Sequence, residues 1–94
     1  MGNGVQFEWD AANLSHIAEH GVTPEEAEQV IENDPVDLDY QVIESEERWV
    51  TVGVTIRGRF LLAVWTIRGS AIRVVTAFDA DQRHQRVYLE QRKN

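Results

Sequence analysis

Three apolar runs separated by two glycine-centred turns limit what this chain can fold into more than any other feature. Residues 48–56 put Val50, Val52, Val54 and Ile56 on one face and Trp49, Thr51, Gly53 and Thr55 on the other, the period of two that a strand requires. Arg57-Gly58-Arg59 reads as a tight turn into residues 60–67, and Arg68-Gly69-Ser70 as a second into residues 71–78. Turns this short join antiparallel neighbours, so the three runs predict a meander. The middle run is apolar almost throughout and marks a central strand covered on both sides.

The segments before and after the meander add helices and two further strands. Val5, Phe7 and Trp9 alternate with Gln6 and Glu8 as a short strand would. Asp10 can cap a helix over residues 11–20, where Leu14, Ile17 and Ala18 make an apolar stripe and Gly21 sits at the left-handed C-terminal position. Thr23-Pro24-Glu25-Glu26 has capping-box spacing before Ala27, Val30 and Ile31, and Asn33-Asp34-Pro35 ends that second helix. Residues 36–43 alternate Leu38, Tyr40 and Val42 with Asp37, Asp39 and Gln41, predicting a partly exposed strand with a wet acidic face. Asp79 or Asp81 can cap a last helix running to about Glu90. The order β-α-α-β-β-β-β-α predicts a single α+β domain over residues 1–94, a two-layer arrangement of an antiparallel sheet packed against helices.

Charge is divided along the chain. Residues 1–47 hold thirteen carboxylates and no Lys or Arg, whereas residues 48–94 hold all nine cations against Asp79, Asp81 and Glu90. The net charge of −7 speaks against broad phosphate binding, but the asymmetry allows an anionic partner on one side, or halves that neutralise each other in the fold. There is no cysteine, signal sequence or apolar run of spanning length, which fits a soluble protein of the cytoplasm with no membrane partner.

Few residues are arranged for chemistry. His16 and His20 stand one helical turn apart, but Ile17 occupies the place where a zinc-protease helix needs Glu, so neither a metal nor another cofactor is expected. His20 can answer the dipole at its helix end. The meander places Arg57, Arg59 and Arg83 at one end of the sheet and Arg48 and Arg68 at the other. Strict alternation puts Arg73 on a face with Val75 and Ala77, where partial burial would demand an anionic or carbonyl partner, an internal carboxylate among them. Phosphate-loop, dinucleotide and nucleophile-elbow motifs are missing; the glycine-rich piece from Met1 to Gly4 precedes any strand.

Phe7-Glu8-Trp9-Asp10, His20-Gly21-Val22-Thr23-Pro24-Glu25-Glu26-Ala27, Asp34-Pro35, Gly58-Arg59, Arg68-Gly69, Arg73-Val74-Val75-Thr76-Ala77 and Arg86-Val87-Tyr88 together resemble the BrnT family of bacterial toxins over nearly the whole chain. The resemblance implies a RelE-like ribonuclease fold. It also implies a type II toxin neutralised by a cognate antitoxin with a DNA-binding ribbon-helix-helix domain, and RNA cleavage without a metal by attack of a 2′-hydroxyl, inhibiting translation. By motif position it implies His20, Arg68 and Arg73 as catalytic residues, and Arg59, Arg83, Arg86 and Tyr88 as RNA contacts; a homodimer is left open. The chain departs from the family at Phe78, where many members place Arg, and in its first helix, where Ala11, Ala12, Ser15 and Glu19 replace a basic surface. These departures keep two rivals in view, a non-catalytic interaction module on the same scaffold and an acidic mimic of nucleic acid. If RNA binds, the charge split predicts contact through the sheet and last helix, with the acidic helices turned away.

Overall fold

Capping chemistry fixes where the helices begin. In the computed structural model, which describes residues 5–92, the Asp10 carboxylate accepts from the backbone N–H groups of Ala12 and Asn13 at the start of α1 (Ala11–Ala18), and the Asn13 side chain accepts from the Asp10 N–H. Thr23 and Glu26 make the same reciprocal exchange at α2 (Pro24–Glu32), and Asp81 caps α3 (Gln82–Gln91). Each cap satisfies donors the helix cannot, a contribution of about 1 kcal/mol. α1 stops two residues short of its expected end. There the chain tightens: the N–H groups of His20 and Gly21 bond three residues back, Val22 bonds to Ile17, and Gly21 takes a left-handed φ of 67°. Met1 to Gly4 and Lys93 lie outside the described residues.

The strands are β1 (Gln6–Glu8), β2 (Val36–Ile43), β3 (Glu46–Val54), β4 (Phe60–Arg68) and β5 (Ala71–Asp79), in the sheet order β1-β5-β4-β3-β2. β2 to β5 form the antiparallel meander, but β1 runs parallel to β5, with Glu8 beside Arg73. The sheet is therefore mixed rather than antiparallel. Tight turns dictate direction only for the strands they join, and β1 reaches its neighbour by way of two helices and the whole meander.

Helices cover both faces, giving three layers where the sequence suggested two. Ile17, Val22, Ala27, Val30 and Ile31 from α1, α2 and the loop between them bury against Leu61, Ala63, Val74 and Ala77. On the opposite face Tyr88 of α3 and Ala80 pack with Val52, Val36, Leu38, Val54 and Phe60. Adjacent strand residues point to opposite faces, so Val52 serves the α3 side while Gly53 serves α2. A Cβ at Gly53 would stand 2.9 Å from both Cγ1 and the carbonyl oxygen of Val30, so the close seating of α2 depends on that glycine.

Two bulges change which side chains share a face. Trp65 pairs with Val74 and Val64 with Thr76, so Val75 is an inserted residue without a ladder partner. Val74 and Ala77, three residues apart, consequently enter the same core, and Ala77 does not share a face with Arg73 as strict alternation predicts. In β2 the register shifts between Asp37 and Asp39. Leu38 packs on the α3-side core while Tyr40 and Val42 stay exposed on the other face, so these three do not form one side as expected.

Candidate functional site

The parallel strand β1 pairs with β5 for three residues only, and α1 takes over the strand edge where β1 stops. Asn13, 2 % exposed, donates to the carbonyls of Glu8 at 3.0 Å and Val74 at 3.1 Å. His16 Nδ1 lies 3.3 Å from the carbonyl oxygen of Val75. A carbonyl only accepts, so in the neutral ring this contact puts the proton on Nδ1 and the lone pair on Nε2. The carbonyls on either side of the bulge thus hold α1 against the middle of β5.

Beside this junction lies a cavity of about 120 Å³, lined by Asn13 and His16 of α1, Glu46 and Arg48 of β3, Thr66 and Arg68 of β4, and Arg73 of β5, with Ala12 and Val75. Arg48, Thr66, Arg68 and Arg73 come to one face because Thr66 and Arg68 are two residues apart in β4, Thr66 pairs with Arg73, and Arg48 and Thr66 each adjoin a member of the Trp49–Trp65 pair. Thr66 is fixed by donating to the Glu47 carbonyl at 2.6 Å. Three guanidinium groups and an imidazole around one small cavity can receive an anion.

That site carries its own carboxylates. Glu46 accepts from Arg48 Nε at 3.0 Å and stands 4.0 Å from Arg68 Nη2. Arg73, whose side chain is 12 % exposed, donates from Nη2 to Asp10 Oδ1 at 3.1 Å and lies 3.9 Å from Glu8. Its Nη1 is 2.9 Å from Asp10 Oδ2, close enough for an ion pair, yet its N–H directions miss the oxygen and leave it buried without an aligned acceptor. The Arg73 hydrogen bond, reinforced by the Asn13 N–H, lowers the Asp10 pKa. Arg68 is the most open of the three, with 55 % of its side chain exposed.

The predicted site residues separate into groups. Arg68 and Arg73 meet in the cavity; His20 and Arg59 are at the far end of β5. Arg73 and Phe78 are five residues apart on that strand, roughly 16 Å, and the His20 ring packs on Phe78 with centroids 5.5 Å apart. Arg59 donates to Asp79 at 2.8 Å, Glu26 at 3.1 Å, the Gly21 carbonyl at 2.9 Å and the His20 carbonyl at 3.4 Å. It is a staple between the meander and the α1–α2 loop. Arg83 and Arg86 are exposed on α3 and do not line the cavity. Tyr88 is buried, edge-on to Phe60 and beneath the Arg92 guanidinium at 4.7 Å.

Sequence reasoning missed His16, Asn13, Glu46 and Thr66 as cavity residues. α1, one of the helices expected to face away from RNA, supplies Asn13 and His16 to the cavity. The expected neutralisation between halves is explicit: Glu8, Asp10, Glu26, Asp34 and Glu46 of the first half all pair with arginines of the second. A larger recess of about 400 Å³ between α2 and the β3–β4 turn offers a single arginine, Arg57, opposed by Glu26, and is the poorer anion site.

Among the described residues, no helix is long and apolar enough to cross a membrane and no three His, Cys, Asp or Glu side chains are grouped to hold a metal ion. A search of curated proteins finds no match. The family described as ribonuclease toxin, BrnT, of type II toxin-antitoxin system matches residues 9–84, from the strand-to-helix junction beside Asp10 through the first turn of α3. The match takes in every residue of the arginine cavity, and this chain belongs to the BrnT family of ribonuclease toxins, whose members act opposite a cognate antitoxin.

Proposed function

We propose that the chain is a metal-independent endoribonuclease of RelE-like fold, acting in the cytoplasm, whose RNA cleavage inhibits translation and whose antitoxin carries a ribbon-helix-helix DNA-binding domain. The observation that carries the reading is the convergence of Arg48, Arg68, Arg73 and His16 on one cavity. The reading keeps Arg68 and Arg73 as catalytic and gives His16 the place that motif position gave to His20.

The chemistry follows from those groups. His16 Nε2, the free lone pair, accepts the proton of a 2′-hydroxyl as that oxygen attacks the adjacent phosphorus. Arg68 and Arg48 bear the charge that builds on the phosphorane oxygens, a role a divalent ion fills in other nucleases. The bond to the 5′ oxygen breaks, that oxygen takes a proton from solvent at the open cavity mouth, and a 2′,3′-cyclic phosphate remains. Arg73, held by Asp10, positions the phosphate from the side. Arg83 and Arg86, exposed on α3 outside the cavity, are kept as RNA contacts on motif position alone.

The test is incubation of the purified chain with RNA in EDTA, together with induction in a bacterial host. Cyclic-phosphate ends in vitro, with growth arrest and loss of labelled protein synthesis in cells, are the expected results. Intact RNA and normal growth would overturn the reading. They would instead favour a non-catalytic interaction module, for which the pairing of Arg48 with Glu46 and Arg73 with Asp10 is the supporting observation.

A further inference from the structure

The other face of the same end of the sheet is built differently. Trp49 follows Arg48 in β3 and therefore points away from the cavity. It stacks on Trp65 at 5.0 Å, and Tyr40 packs on it at 5.6 Å, making an aromatic row across β2, β3 and β4. Val42 and Ile67, each two residues along from this row, are 59 % and 50 % exposed. The row ends at β2, an eight-residue strand at the sheet margin whose outer edge has no strand partner among the described residues.

Carboxylates border this surface. Asp37 and Glu47 are on it through their pairing with Thr51 and Val42, and Glu44 is in the β2–β3 turn. No Lys, Arg or His among the described residues forms an ion pair with Asp37, Asp39, Glu44 or Glu47, in contrast to the carboxylates of the cavity. Glu47 instead accepts from the Tyr40 hydroxyl at 2.6 Å. An open apolar strand edge invites a further strand. The charges choose which kind: a second copy would set Asp37 and Asp39 against their own counterparts, and RNA would be repelled.

We infer that the antitoxin docks here, adding an extended segment of alternating apolar and Lys or Arg residues to the β2 edge, with its apolar side chains over Val42, Tyr40 and Ile67 and its cations facing Asp37, Glu44 and Glu47. This rests on the antitoxin the family implies, and places the contact on the face opposite the arginine cavity. Neutralisation then comes from chain that continues around the β2–β3 turn toward Arg48, not from the docking segment itself.

The test titrates the protein encoded by the adjoining gene, the expected antitoxin, against the wild-type chain, V42R/I67R, D37K/E44K and R68A, each checked for folding by circular dichroism. Both surface variants should bind at least tenfold more weakly, D37K/E44K should also lose the salt dependence of association, and V42R/I67R should still arrest growth when the antitoxin is co-expressed. R68A should bind as wild type. Unchanged binding by both surface variants, weakening confined to R68A, no binding to wild type, or a wild-type dimer that either surface variant dissociates would each overturn the inference. A wild-type chain that binds this antitoxin but never cuts RNA would end the ribonuclease reading alone.

Discussion

The two ends of the sheet differ in how fully their arginines are paired. At the end where α2 sits on Gly53, Arg59 directs its donors to two carboxylates and two carbonyls, and His20 packs on Phe78. At the other end Arg48, Arg68 and Arg73 converge on a cavity, and Arg68 remains half in solvent with its nearest carboxylate 4.0 Å away. Arg59 thus serves as a structural clasp, whereas Arg68, beside the carboxylate-held Arg48 and Arg73, is left half open. What separates them is how many fixed acceptors the surrounding backbone and carboxylates provide, not their formal charge.

The largest effect that would break this contrast is on catalysis. Arg68→Ala should lower the rate of RNA cleavage by about 10²–10³-fold, roughly 3–4 kcal/mol of transition-state stabilisation, with an unaltered thermal midpoint, because Arg68 is half exposed and its one ion-pair partner is 4.0 Å away. A thermal midpoint that dropped with activity would make Arg68 structural and erase the distinction. At the closed end the expectation reverses. Gly53→Ala forces its new methyl against the Val30 backbone and should cost about 2 kcal/mol of stability, lowering the midpoint by roughly 10 °C without a change in kcat for the folded fraction.

Arg59→Ala should cost about 1.5 kcal/mol, allowing for its partial exposure, and it carries a pH signature. The N–H of Thr23, then Arg59, lower the pKa of Glu26, and Arg59 lowers that of Asp79. A carboxylate with a depressed folded pKa stabilises the fold fully above its unfolded value, near 4, and loses that contribution as pH falls through the lower folded value. Wild-type stability should therefore decline in acid below about pH 4, and Arg59→Ala should flatten part of that decline when midpoints are compared across pH. The smallest effect sharpens the comparison most: His20→Ala should leave cleavage within about twofold, whereas His16→Ala should reduce it by about 10²-fold. Equal losses from both would return the imidazole role to the closed end.

Much of the architecture was legible because it depends on local chemistry. The caps at Asp10 and Thr23, the glycine turns at Gly58 and Gly69 and the period of two in β3 each depend on a few adjacent residues. The same turns correctly divided Arg48 and Arg68 from Arg59. The burial of Arg73 against a carboxylate followed from strand alternation, although the bulge at Val75 broke that alternation two residues later. Bulges, the parallel pairing of β1 and the third layer formed by α3 are decided by long-range packing, so no short window contains them. His16 was hidden for the same reason: its place depends on a carbonyl fifty-nine residues away.

Asn13 has a consequence for how this chain can vary. Its one side chain ties together the end of β1, the start of α1 and the free edge of β5, and Asp10 beside it holds Arg73. Only Trp9 and Asp10 separate the strand from the helix. An insertion at this junction would turn the first residues of α1 by about 100° about the helix axis, sending Asn13 away from β5 and Asp10 away from Arg73 together. Loop length here is consequently not a free parameter of the fold. Homologues that conserve the arginine cavity should conserve the length of this two-residue joint even where its flanking sequence drifts.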